Sequence, residues 1–331
     1  MDPILVEVLR GDSVESTHLV DAVVADEHGA RVAAFGDFNK VVYPRSAIKP
    51  LQALPFVLSG ACDRLENPNR VISLACSSHD AERRHLETLS SWHKGFDLSE
   101  SDLVCGPHPP EDRDSYFELI REGRVPCRLH NNCSGKHTAM LSACRANSWP
   151  TLGYELYDHP VQREIRQHLS GFSGLDHESL PWGIDGCGIP TYALPLEVLA
   201  KMMAVFLPGR SSDRVGEALQ RIRRACAEEP WMIGGKNSLS SQIGALTGGK
   251  VLAKIGAEGN YCAVIFDRGL SIALNARDGA ERASEAALFA LLERYGGIDR
   301  ICLQEIKQWA APPLKNWAGT VVGSLRVSLA N

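Results

Sequence analysis

The sequence predicts an α+β fold, an antiparallel sheet built from both chain ends beside a helical region. Three observations predict it. Apolar residues alternate with polar ones at the start of the chain, strand-like runs return only in the last third, and helical spacing dominates the middle.

The elements follow in order. Ile4 to Leu9 alternates as a strand. His18 to Ala25 and Arg31 to Phe35 read as two more, joined across the hairpin-like turn Asp26-Glu27-His28-Gly29. Near Ser46 a helix begins, with Ile48, Leu51 and Leu58 at helical spacing; Pro50 suits its first turn and Pro55 bends it or ends it early. Val71 to Ala75 has the pattern of a short buried strand, leading into Cys76-Ser77-Ser78. Ala81 to Lys94 is a polar helix. A Pro-rich loop, Gly106 to Pro110, and a second loop, His130 to Gly135, precede a helix from Lys136 to Ala146. Further helices are expected at Pro160 to Leu169, Leu194 to Phe206 and Asp213 to Ala227. Lys250 to Ile255, Tyr261 to Asp267 and Leu270 to Leu274 then read as successive strands, with a tight turn at Arg268-Gly269. A helix at Ala280 to Tyr295 and a strand near Thr320 to Val327 close the pattern. With no internal repeat, low-complexity tract or clear linker, residues 1–331 read as a single continuous domain with two lobes, one mixed α/β from both termini and one helical from the middle.

Bulk composition narrows the function classes. Hydrophobic residues make up 44% and charged residues 23%, an ordinary globular balance, and the net charge is −5. The tightest basic cluster, Arg221 to Arg224, is broken by Ile222, so no nucleic-acid partner is expected. No apolar run approaches the roughly eighteen residues of a membrane span. The start, MDPILVEVLRGD, is acidic and lacks the basic, then apolar, pattern of a signal peptide. The 10 cysteines are scattered with no CxxC pair, as expected of buried thiols in a reducing, cytoplasmic setting.

Chemistry concentrates in a few segments. Ser46 and Lys49 are three residues apart at a helix start, which puts them on one face. A serine hydroxyl attacks only once a base takes its proton, and a lysine is such a base where burial or a neighbouring cation such as Arg45 disfavours its charged form. The same serine is also a good helix cap. Ser77-Ser78 is a second serine element. Lys254-Ile255-Gly256 is a third signal, where the glycine admits a close approach to a strand edge. The three resemble the pattern of serine β-lactamases and penicillin-binding proteins. Ile255 stands where a Thr or Ser belongs, however, and no SDN or YxN triplet follows Ser78, which argues against a β-lactam substrate.

Two glycine-bearing loops carry cysteines, Asn131-Asn132-Cys133-Ser134-Gly135-Lys136-His137 and Gly183-Ile184-Asp185-Gly186-Cys187-Gly188. Three readings stay open here: unrelated cysteines, a thiol pair open to oxidation, or a soft metal such as zinc. Ser134-Gly135-Lys136 is no phosphate loop, because His137 follows where the Walker pattern needs Ser or Thr.

Taken together, YPRSAIKPLQALP, SLACSSHD, HNNCSGKH, GIDGCGIP and LAKIGAEG, with the opening LVEVLRGDSVESTH, resemble the rhizobial-type L-asparaginases (class 3, asparaginase II family) over nearly the whole chain. The resemblance implies a fold like that of the serine β-lactamase and glutaminase superfamily. It implies two serine–lysine tandems, Ser46 with Lys49 and Ser78 with Lys254, and a zinc ion held by Cys133, Lys136 and Cys187. Arg45, Asn132, His137 and Asp185 would surround the substrate. The implied reaction is hydrolysis of L-asparagine to L-aspartate and ammonia through an acyl-enzyme on Ser46, in a homodimer. A glutaminase or other small-amide hydrolase, a non-catalytic amino-acid sensor and a penicillin-recognising acyl enzyme are the alternatives.

Overall fold

Residues 1–209 and 213–329 are described by the computed structural model. The chain divides into two compact units, one of residues 1–47, 193–209 and 242–329, the other of 48–192 and 213–241.

The first unit is the sheet. Its strands are β1 (Ile4–Arg10), β2 (Ser13–Ala25), β3 (Arg31–Phe35), β4 (Val251–Gly256), β5 (Asn260–Ile265), β6 (Leu270–Ala276), β7 (Leu314–Lys315) and β8 (Val321–Ser328). They lie in the order β7-β8-β1-β2-β6-β5-β4, and every pairing is antiparallel. The long β2 pairs with β1 through Val20 and then, further along, with β3. The first and last strands of the chain thus meet as neighbours, Val6 opposite Val327. Strands β4, β5 and β6 are buried almost throughout, as expected of strands covered on both faces. The Leu196–Met203 and Glu281–Tyr295 helices supply that cover, packing on β2, β5 and β6.

The second unit is helical. The Ser134–Ala146 helix is its centre, buried from Ser134 through Cys144 and packed against the Leu54–Leu58, Pro68–Ala75, Arg83–Gly95 and Pro160–Ser173 helices. Its hydroxyls recur every four residues on one stripe. Ser134 Oγ meets His79 Nε2 at 2.8 Å, Thr138 Oγ1 meets His93 Nε2 at 2.9 Å, and Ser142 Oγ accepts from Trp92 Nε1 at 2.9 Å. Three satisfied contacts of this kind fix the helix in depth and in rotation.

Val71 to Ala75 is a helix, not the strand its apolar run predicts: Pro68–Ala75 is α-helical, with Pro68 in the first turn. Four apolar residues and a serine fit either period, and a proline at the first helical position favours the helix. Pro55 does end the first helix early, which stops at Gln52 and restarts as Leu54–Leu58. No helix among the described residues is long and apolar enough to cross a membrane.

Candidate active site

In the sheet unit the chain enters the Ser46 segment through Arg45, whose φ is +52°. A non-glycine residue there carries about 1 kcal/mol or more of strain, which persists only where the surroundings hold it. Ser46 follows, half-buried, in the 3-10 turn Arg45–Ile48. The surroundings come from β4 and β5. A Cβ on Gly256 would stand 2.4 Å from the Pro44 carbonyl oxygen and 3.1 Å from the Ala47 amide, so only glycine lets the strand lie against the turn. Asn260 Nδ2 donates to Tyr43 O at 3.1 Å and to Ala257 O at 2.7 Å, tying the same turn to the strand pair. Two residues before Gly256, Lys254 is 1% exposed and donates to Ile255 O at 2.9 Å. The close approach that Gly256 allows is therefore one of backbone to backbone, and it joins the Lys254 strand to the Ser46 turn.

In the helical unit the end of the Pro68–Ala75 helix delivers Ser77 and Ser78. Gly135 permits this, since a Cβ there would be 2.2 Å from Leu74 O. Ser78 is held by its own N–H, which donates to Ile233 O at 2.9 Å. Lys49 opens the Lys49–Gln52 helix and is 0% exposed. Its Nζ donates to Ser77 O at 2.6 Å and to Ser78 Oγ at 2.9 Å. A lysine sealed from water is rare outside functional sites and needs such partners. The resemblance pairs Lys49 with Ser46; within this unit its hydroxyl partner is Ser78. Ser77, the first serine of the Ser77-Ser78 element, anchors the lysine through its carbonyl, and its buried Oγ meets no hydrogen-bond partner among the described residues.

Cys133, Lys136 and Cys187 converge and are each at most 6% exposed. Cys187 comes from the turn of a short hairpin, Trp182–Ile184 with Pro190–Tyr192. Lys136 Nζ lies 3.0 Å from Cys187 Sγ. A hydrogen bond from the Cys133 thiol, opposed by burial and aided by Lys136, draws Cys187 down to about 5. The same bond, with burial, pushes Cys133 up to about 12. Burial works against the Lys136 ammonium, but Cys133, Cys187 and Asp185 outweigh it and raise its pKa. If a metal displaced the Lys136 proton, the amine would join the two sulfurs in a donor set that suits zinc. Among the described residues no group of three or more His, Cys, Asp or Glu side chains could hold a metal, so a metal here depends on Lys136 as a ligand.

The remaining candidates surround these groups within the same unit. Asp185 is half-buried at the hairpin turn and accepts from Gly186 N at 2.6 Å. Asn132 is held by its N–H to His108 Nε2 at 2.8 Å, and its side chain donates to Glu111 at 3.1 Å. His137 is 0% exposed; burial first, then Lys136, pushes its imidazole down to about 3. Tyr154, 2.6 Å from His137 Nδ1, is a residue that sequence reasoning missed, with no sequence signal to find it by.

A family profile described as L-asparaginase II matches residues 6–327. Among solved structures, Mglu is 12% identical over 83% of this chain and 66% of its own, with a TM-score of 0.46. A beta-lactamase from Mycobacterium bovis is 16% identical over 84% of this chain and 95% of its own, with a TM-score of 0.43. The chain spans 59% to 66% of the length of the Mglu structures it matches. No curated protein matches it.

Proposed function

The chain belongs to the L-asparaginase II family, an amidohydrolase family, and from that membership we propose that it hydrolyses L-asparagine to L-aspartate and ammonia by serine–lysine catalysis. The observation that carries this reading is Lys49, fully buried and bonded to Ser78 Oγ at 2.9 Å. An enclosed lysine with a hydroxyl partner is equipped to move protons between reacting groups.

In the proposed reaction Lys49, as the amine, takes the Oγ proton of Ser46, one helical turn before it in the chain. Ser46 Oγ bonds to the side-chain amide carbon of asparagine. A proton passes by way of Ser78 to the amide nitrogen, the C–N bond breaks, and ammonia leaves an aspartyl ester on Ser46. Water then gives a proton to the same relay and adds to the ester carbon. The bond to Ser46 breaks, and Ser46 Oγ recovers its proton. Ser78 and Lys254 together carry protons toward the leaving amine and the incoming water. The strained Arg45 turn fixes the backbone N–H groups around Ser46, which serve as oxyanion donors.

Cys133, Lys136 and Cys187 would hold zinc, which when bound supplies a fixed positive charge for the α-carboxylate of the substrate. Asp185 takes the α-amino group, and Arg45, Asn132 and His137 complete the binding site.

The test is ammonia release from L-asparagine and L-glutamine side by side, with Ser46→Ala as control. Release from asparagine, lost in the variant, supports the reading. Release from glutamine alone would move the substrate by one methylene. Release from neither, by folded zinc-loaded protein, would sink it.

A further inference from the structure

Tyr154 is 1% exposed, and its hydroxyl oxygen has two polar neighbours. The Val104 N–H donates to it at 3.0 Å, and His137 Nδ1 lies 2.6 Å away. The amide offers no lone pair, so the phenol proton goes to the imidazole. His137 Nδ1 is then the acceptor, and the neutral ring carries its own proton on Nε2. The edge-on packing of the rings, 84° between planes with centroids 5.5 Å apart, fits a hydroxyl pointing at a ring nitrogen.

That leaves Nε2–H as a buried donor, and it meets no hydrogen-bond partner among the described residues. An unpaired buried donor is costly, and native proteins retain few of them. His137 follows Lys136 directly in the first turn of the Ser134–Ala146 helix, which places it beside a group of the candidate active site. A neutral donor there adds direction without adding charge.

We propose that Tyr154 is a positioning residue that fixes His137 in its Nε2–H form, and that this N–H binds an α-carboxylate oxygen of the amino-acid substrate. The substrate half rests on the reading of the chain as an amino-acid amidohydrolase; the tautomer half does not. Tyr154→Phe removes the hydroxyl and keeps the ring. His137→Gln sets an amide N–H where Nε2 stands, with no tautomer left to fix.

Two measurements on the full chain test this. Histidine side-chain ¹H–¹⁵N spectra of the substrate-free protein, with the His137 signal assigned by its loss in His137→Gln, should show Nε2–H in the wild type and lose that preference in Tyr154→Phe. A wild-type ring protonated on Nδ1, or on both nitrogens, overturns the proposal. Steady-state kinetics should then show Tyr154→Phe raising KM for L-asparagine about tenfold, the worth of one hydrogen bond to a charged group, with kcat changed by less than about twofold. In the His137→Gln background the same substitution should change KM by less than about twofold. Equal KM effects in both backgrounds would make Tyr154 a packing residue and refute the positioning role. No turnover of asparagine by the wild type would fell the functional reading and the substrate half with it, while the spectra still decide the tautomer.

Discussion

Gly256→Ala tests whether the edge strand must press directly on the Ser46 turn. The new methyl would sit 2.4 Å from Pro44 O, 3.1 Å from Ala47 N and 3.1 Å from Asn260 Cβ, where ordinary contact begins near 3.4 Å. Strand and turn must therefore part by about 1 Å, and because two of the three obstacles are backbone, no side chain can swing away to absorb it. Overpacking of this kind costs about 1–3 kcal/mol in stability, which lowers Tm by about 1–4 °C in a chain of this size. Activity should suffer far more. The turn that moves carries Ser46 and the strand that moves carries Lys254, and a displacement of about 1 Å between reacting groups costs on the order of 100-fold in rate. The assay is ammonia release at saturating L-asparagine, paired with a thermal melt of the same preparation. A variant whose kcat stays within about threefold of wild type would refute the argument that this contact sets the geometry of the serine.

Three further outcomes follow from the same structure. Lys49→Met keeps the buried stem but removes the amine bonded to Ser78; kcat should fall by about 100- to 10,000-fold with unchanged circular dichroism, and near-normal ammonia release would rule Lys49 out as the base. Cys187→Ser removes the sulfur that Lys136 and Cys133 share; metal analysis of purified protein should show zinc bound to the wild type and largely lost from the variant, and equal zinc in both would place the metal elsewhere. Glu285 is pushed up from 4.5 to about 8, by burial first and then by Glu281. Its folded-state pKa is raised, so its contribution to stability is complete below the unfolded value and is lost as pH rises through about 8. Glu285→Gln should therefore stabilise the protein by about 1–2 kcal/mol at alkaline pH and by almost nothing near pH 4, the figure being reduced because the side chain is only half-buried. Thermal melts across that range check the sign, and a gain that shrinks as pH rises would contradict it.

The sheet was legible in the sequence because strands with one or both faces buried declare themselves by alternation or by short apolar runs. Ile4 to Leu9 and Thr320 to Val327 predict strands, and the structure pairs them as neighbours. The Val71 to Ala75 run misleads because four apolar residues around one serine carry no period, while Pro68 just before it is the better guide. The Arg113–Arg121, Leu239–Leu246 and Arg300–Ala310 helices escape the sequence reading. The first buries only Leu119, too little to mark a face. The candidate site divides in the same way. The glycine after Lys254 points to a close approach at a strand edge, and Gly256 makes one, against Pro44 O. The partner of Lys49 is not readable, because Ser78 lies 29 residues on and reaches it through a helix that the apolar run disguises as a strand. Tyr154 is invisible for a similar reason: one hydroxyl 17 residues beyond His137 leaves no periodic trace.

The most direct test of the account is to find the acyl-enzyme itself. Wild-type protein mixed with saturating L-asparagine, quenched in acid within milliseconds, digested and mapped by mass spectrometry should carry an aspartyl ester on the peptide containing Ser46, absent from Ser46→Ala. An ester on the Ser78 peptide would exchange the roles of the two serines. Steady ammonia release with no ester on either serine would contradict covalent serine catalysis in this chain.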